Sequence, residues 1–168
     1  MDLTTTMSRD ADGGFEPLLE RHRGIVFKIA NGYATHPADR EDLVQEIAAQ
    51  LWRAWPAYDP ARRFSTWMYR IALNVAISHL RARQQRERHH VTLDEQVHGL
   101  AAPEPGDDAR LLALQRCIAA LDPMSRALLL LYLDERSQRE IAEILGITET
   151  NVSTRISRLK QRIRDQLA

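Results

Sequence analysis

Ser137-Gln-Arg-Glu140-Ile-Ala142-Glu-Ile-Leu-Gly146-Ile-Thr-Glu-Thr-Asn-Val152-Ser-Thr-Arg-Ile156 reads as two short helices crossing at a tight turn. Ser137 followed by Glu140 is a capping box, which starts the first helix. Ala142 is small where the second helix must pass closely. Gly146 ends the first helix, because a left-handed backbone is cheap only for glycine. Ile141, Leu145, Ile147, Val152 and Ile156 are the predicted shared core. The second helix then runs to the end of the chain. It carries Arg155, Arg158, Lys160, Arg162 and Arg164 with no acid between Val152 and Arg164, the charge pattern of a helix that meets DNA phosphates.

Upstream, apolar residues recur at helical spacing. Phe15, Leu18, Leu19, His22, Val26, Ile29, Ala30 and Tyr33 predict a first helix with Pro17 in its first turn. Thr35-His-Pro37 breaks it. Asp39 is the expected cap of a second helix, which puts Leu43, Val44, Ile47, Leu51 and Trp55 inward and stops before Pro56. Residues 58–63 read as a loop, and Ser65 as the cap of a long third helix reaching about Arg86. Beyond the connector, Leu111, Leu114, Ile118 and Leu121 mark a fourth helix, and Asp122-Pro123 opens a fifth through Leu133. Strand-like alternation is absent. The expected class is all-α: two small helical domains, residues 14–88 and 110–168, joined by a flexible acidic linker over 89–109, with 1–13 a disordered N-terminus.

Composition narrows the function. The 168 residues carry 23 Lys and Arg against 23 Asp and Glu, so the formal net charge is zero. That total averages opposite local charges. Between Arg62 and Arg88 lie seven Arg and one acid, whereas residues 91–109 hold five acids and no Lys or Arg. No apolar run approaches the roughly 20 residues of a membrane span, and no charged-then-apolar leader opens the chain, so a cytoplasmic protein is expected. Cys117 stands alone and reads as a buried small hydrophobe. His89, His90 and His98 lack partner ligands at metal spacing, and no phosphate loop, catalytic triad or paired carboxylates appear. Neither metal, cofactor nor catalysis is expected.

Three helix faces carry candidate chemistry. On the third helix, steps of about 100° per residue bring Trp67, Arg70, Asn74, Ser78, Arg81 and Gln85 into one narrow sector. An aromatic plate, an amide, a hydroxyl and guanidinium groups together suit an unpaired nucleic-acid strand. On the second helix, Asp42, Gln45, Glu46, Ala49 and Arg53 lie off the apolar stripe: an ordinary solvated face, or a dock for a basic helix. On the last helix, Thr150, Ser153, Thr154, Ser157, Arg158 and Gln161 face outward. Small hydroxyl residues allow close approach to base edges, and Arg158 can pair with guanine. Arg155, Lys160, Arg162 and Arg164 suit phosphates, which orient without specifying.

Four segments now resemble one family: Glu41-Asp-Leu-Val-Gln-Glu46 with Trp52; Phe64-Ser-Thr-Trp67-Met-Tyr-Arg-Ile-Ala-Leu-Asn74; Leu121-Asp-Pro123 with Arg126; and Glu140-Ile-Ala-Glu-Ile-Leu-Gly146 through Val152 and Arg155. In this order they resemble a bacterial RNA polymerase sigma factor of the extracytoplasmic-function type, over nearly the whole chain. The resemblance implies that the first domain docks on the clamp helices of core RNA polymerase through Asp42, Gln45, Glu46, Ala49 and Arg53. It implies that Tyr58, Phe64, Trp67, Arg70, Asn74, Ser78 and Arg81 melt and read the minus-ten element of promoter DNA. For the C-terminal domain it implies reading of the minus-thirty-five element through Thr150, Ser153, Thr154, Arg155, Ser157, Arg158 and Lys160. An anti-sigma factor is an implied further partner, and a monomer the expected free state. The family often has a glycine shortly before the position of Ser137, where this chain has Glu135-Arg136. Two rival readings remain: a conventional helix-turn-helix regulator, and a sigma-mimicking inhibitor of polymerase.

Overall fold

The computed structural model describes residues 14–90 and 109–168, and no strand occurs among them. The expectations for residues 1–13 and 91–108 lie outside the described residues. Among the described residues seven α-helices follow in order: α1 Phe15–Tyr33, α2 Pro37–Ala54, α3 Phe64–His90, α4 Ala109–Ala119, α5 Pro123–Leu133, α6 Gln138–Leu145 and α7 Glu149–Leu167. A single 3-10 turn, Trp55–Ala57, follows α2. The described residues divide into two compact units, the first reaching residue 76 and the second beginning at residue 77, so the division falls within α3.

In the first unit α1 and α2 form an antiparallel hairpin. Phe15, at the start of α1, lies against Trp52 and Trp55 at the end of α2. Arg40 fixes the corner: its Nε donates to the carbonyl of Ala34 at 3.0 Å and its Nη2 to that of Thr35 at 2.6 Å. Both carbonyls lie just past the C-terminal end of α1, in the turn that leads into α2. The predicted cap of α2 is displaced. His36 caps instead, its Nδ1 accepting from the amide of Ala38, and Pro37 takes the first helical position. Proline there loses nothing, since that amide has no partner in a helix. Asp39 stands one turn further in. Ile29, Leu43, Ile47, Leu51, Met68 and Leu73 are fully buried, each contributing on the order of 1.5–3 kcal/mol of transfer free energy.

α3 begins at Phe64, ahead of the expected cap at Ser65, and runs past Arg86 to His90. Met68, Tyr69, Ala72, Leu73, Ala76, Ile77 and Leu80 form its buried face. Ile71 and Val75, apolar residues beside that face, are only half-buried.

In the second unit α7 packs against α4, α5 and α6. The crossed pair forms as the sequence requires. Ser137 accepts from the amide of Glu140 at 3.1 Å while the Glu140 carboxylate accepts from the amide of Ser137 at 3.0 Å. Gly146 adopts φ 68°, and the amide of Ile147 then reaches back to the carbonyl of Ala142 at 3.1 Å. Ile141, Ala142, Val152 and Ile156 are buried. Ile144 is buried as well, whereas Leu145 and Ile147 are half-buried. Thr148 caps α7 through the amide of Asn151 at 3.1 Å. Cys117 is buried, its thiol donating to Oε1 of Gln166 at 2.6 Å.

Candidate nucleic-acid interface

An aromatic cluster sets the N-terminal end of α3. Trp55 stacks on Tyr58 with ring centroids 5.2 Å apart and planes inclined by 16°. Tyr58 and Phe64 in turn contact Trp67 at 5.0 and 5.4 Å, and Trp55 meets the same ring edge-on at 6.3 Å. Tyr58 is 9% exposed and Phe64 7%. The family resemblance implied that these two meet DNA. Their burial makes them the wall behind Trp67, which remains half-exposed. The Tyr58 hydroxyl donates to the carbonyl of Arg62 at 2.7 Å and so ties the loop to the cluster. Burial, aided by the neighbouring Asp59 carboxylate, raises its pKa above the ordinary phenol value and keeps that donor in place.

From Trp67 the sector runs up α3. Arg70, Asn74, Ser78, Arg81 and Gln85 are all exposed, while the opposite side of the helix is buried. Among the described residues, no hydrogen bond occupies the side chains of Arg70, Asn74, Ser78 or Arg81. A rigid helix thus presents two cations, one amide and one hydroxyl beside an aromatic ring. The arrangement can stack on a base, pair with a base edge and neutralise phosphate.

The α2 face is a second surface of the same unit. Asp42, Gln45, Glu46 and Arg53 are exposed, and Ala49 is half-buried. Sequence reasoning left Trp52 out of this set, although its spacing continues the stripe. Trp52 is 60% exposed, with one edge held against Phe15 at 5.4 Å. In the sequence Trp52 stood out only as part of the family motif, and the structure shows it facing outward.

On α7, Thr150, Ser153, Thr154, Arg155, Ser157, Arg158 and Lys160 are exposed opposite the buried Val152, Ile156 and Leu159. The structure distinguishes them by their partners. Thr154 donates its hydroxyl to the carbonyl of Thr150 at 3.0 Å, which leaves its oxygen as an acceptor. Lys160 places Nζ 4.4 Å from the centre of the Tyr132 ring. Arg155 donates through Nε to Oδ1 of Asn151 at 2.7 Å. Arg164 folds back onto the carbonyl of Lys160 at 3.3 Å. Among the described residues no group of three or more His, Cys, Asp or Glu side chains is placed to hold a metal, and no helix is long and apolar enough to cross a membrane.

The family model for Sigma-70 region 2 matches residues 18–86, and the model for Sigma-70, region 4 matches residues 111–163. The chain belongs to the sigma-70 family. Its relatives place it among the ECF sigma factors. It is 28% identical to the ECF RNA polymerase sigma factor SigW of Bacillus subtilis, the match covering 91% of this chain and 88% of that one. It is 30% identical to the ECF RNA polymerase sigma factor SigE of Mycolicibacterium smegmatis, over 92% of this chain and 62% of that one. The fold resembles that of the sigma factor RpoE, solved in complex with the anti-sigma factor NepR from Bartonella quintana. The TM-score is 0.72 at 19% identity, covering 91% of this chain and 96% of that one. CnrH, solved with the cytosolic domain of CnrY, gives a TM-score of 0.65 at 24% identity, over 96% and 93% of the two chains. These matches support neither the conventional regulator nor the sigma-mimicking inhibitor.

Proposed function

We propose that this sigma-70 factor divides promoter recognition between two helix faces, one melting DNA and one anchoring it. The protein is a promoter-specificity subunit of RNA polymerase, binding core enzyme and promoter DNA. The observation that carries the division of labour is the α3 sector, in which exposed Arg70, Asn74, Ser78 and Arg81 continue from a half-exposed Trp67 backed by buried rings. A ring braced by Tyr58 and Phe64 loses little freedom when a base stacks on it. Capture of unstacked minus-ten bases there offsets the few kcal/mol that extrusion costs. The α7 face takes the minus-thirty-five duplex, with Arg158 suited to a guanine edge and the other cations to phosphates.

Asp42, Gln45, Glu46, Ala49 and Arg53, joined by Trp52, are the proposed dock for core polymerase. An exposed tryptophan ringed by polar groups, which a partner can cover, is the usual composition of a binding hot spot. Residues 14–88 and 110–168 are then the two working domains, and the acidic connector, 89–109, spans between their sites. Binding both elements from one scaffold raises effective affinity over either alone. The protein acts in the cytoplasm as a non-catalytic subunit, without cofactor, and is monomeric when free. RpoE and CnrH were each solved with a protein bound to them, and a protein inhibitor of comparable kind is a proposed partner here.

Run-off transcription with purified core polymerase on a promoter library tests the reading. The full chain should direct initiation from a subset sharing two spaced elements. Initiation no more selective than that of core alone would overturn it.

A further inference from the structure

We infer that Asn151 is a positioning residue for promoter recognition, holding the Arg155 guanidinium end-on toward DNA. The inference rests on the proposed role of α7 in contacting the promoter. Asn151 is the third residue of α7, and its backbone amide is already satisfied by Thr148. At the equivalent place in α6 stands Glu140, whose side chain turns back to complete the capping box. Asn151 does otherwise. Its side chain points forward along the helix and accepts from Nε of Arg155, one turn on, at 2.7 Å.

The chemistry of the pair fixes its orientation. A guanidinium has donors only, so the amide must offer its oxygen to Arg155 and turn its NH2 group outward. With Nε engaged, the side-on fork of Arg155 is taken, and the two terminal nitrogens remain as an end-on fork. Arg155 is exposed and Asn151 half-buried. The outer edge of the pair is therefore donor-only, suited to a paired set of acceptors. Phosphate oxygens and the O6/N7 edge of guanine share that chemistry.

Stability does not account for the choice of residue. Asparagine is a poor helix former, and a glutamate in this place would close a second capping box. An arginine free on a helix surface samples many rotamers and loses that freedom on binding. Holding it by one neutral partner reduces that loss without cancelling its charge, as a carboxylate partner would.

A double-substitution cycle in reconstituted holoenzyme tests the assignment, with promoter binding measured on a selected promoter. Asn151→Ala should weaken binding about three- to tenfold, with polymerase association and thermal midpoint unchanged. In an Arg155→Ala background the same change should have no further effect. A second readout separates the two acceptor sources. If Arg155 reads guanine, Asn151→Ala relaxes preference at one minus-thirty-five base pair; if phosphate, it lowers the salt dependence of binding and leaves base preference unchanged. Asn151→Gln, which keeps a neutral amide oxygen, should recover part of the loss. Equal effects of Asn151→Ala with and without Arg155 would overturn the inference. No effect of Arg155→Ala itself would instead remove Arg155 from the proposed interface.

Discussion

Arg126 donates through Nη2 to the carbonyl of Ala119, the last residue of α4, across 2.9 Å. The same nitrogen reaches the carbonyl of Leu121 at 3.3 Å, and the side chain is buried although it is charged. A cation at the negative end of α4 satisfies carbonyls that the helix leaves open. Arg126→Ala should therefore destabilise the second unit by about 2–4 kcal/mol, because it strands the buried carbonyl of Leu121 and the part-buried one of Ala119 and opens a cavity. Amide exchange in α4 and α5 measures this directly, as faster exchange in both. Arg126→Lys should recover only part of the loss, since one ammonium replaces a planar fork. Wild-type protection in the alanine variant would show that the carbonyls find other partners.

Glu135 carries the only positive φ of a non-glycine residue among the described residues, at 56°. It closes α5 in a Schellman arrangement, with its own amide on the carbonyl of Tyr132 and that of Arg136 on Leu131, both at 3.1 Å. A left-handed backbone costs a side-chain-bearing residue about 1–2 kcal/mol, and glycine's greater unfolded-state freedom returns about 0.5–1 kcal/mol of that difference. Glu135→Gly should raise the thermal midpoint by roughly 2–6 °C. A lowered midpoint would mean that the Glu135 side chain contributes more than its backbone costs.

Much of this was legible in the sequence, and the exceptions have physical causes. Ser137, Glu140 and Gly146 declare the helix-turn-helix because capping and left-handed backbone restrict the residue types allowed. Helix faces were legible because burial imposes a period. Caps shared between neighbouring candidates were not. His36 and Asp39 both suit a helix start, and only the position of Pro37 at the first turn decides between them. Aromatic residues were ambiguous for another reason. Tyr58, Phe64, Trp67 and Trp52 are all large aromatic side chains, yet two are buried, one is half-exposed and one is exposed. Their sorting depends on which ring of the cluster stacks against which, a tertiary fact without local signal. The hold of Asn151 on Arg155 sits at a four-residue spacing that sequence does offer, but many such pairs exist on any polar helix.

Asp122 makes the second unit sensitive to acid. Partial burial pushes its carboxyl up, but the hydroxyl and amide of Ser125 and the amide of Met124 outweigh that and hold its pKa below the ordinary aspartate value. A depressed carboxylate stabilises the fold above its unfolded pKa, near ~3.9. The contribution is lost as pH falls through the lower, folded value. Asparagine caps helices about as well but does not titrate. Wild type should therefore exceed Asp122→Asn in thermal midpoint at pH 7, and the gap should close in acid below about pH 4. A gap independent of pH would assign the difference to packing.

Docking on polymerase should depend on Trp52 as much as on the charged residues of α2. Its ring is mostly exposed, so Trp52→Ala should leave the fold nearly intact while removing a hot-spot contact of about 2 kcal/mol or more, roughly a 30-fold loss of affinity. Gln45→Lys with Glu46→Lys should abolish association by reversing the charge of the face. Titration of labelled protein with core polymerase measures both. Undiminished affinity in either variant would move the dock away from α2.

Asn74 should separate docking from melting. It stands on α3 in the sector opposite the buried face, exposed and with its amide unengaged among the described residues. Asn74→Ala removes a paired donor and acceptor without disturbing the core, and alanine favours the helix. Core association should be unchanged, whereas open-complex formation on a duplex promoter should fall by about tenfold or more, the value of one good base-edge pair. On a template already mismatched across the minus-ten element the defect should shrink if Asn74 acts in opening, since the unpairing no longer has to be offset by capture. Trp67→Ala should show the same pattern with a larger loss, because stacking serves every captured base that passes that ring. Permanganate footprinting of unpaired thymines on both templates reads the difference. Equal footprints for wild type and Asn74→Ala on the duplex promoter would place base capture elsewhere on α3.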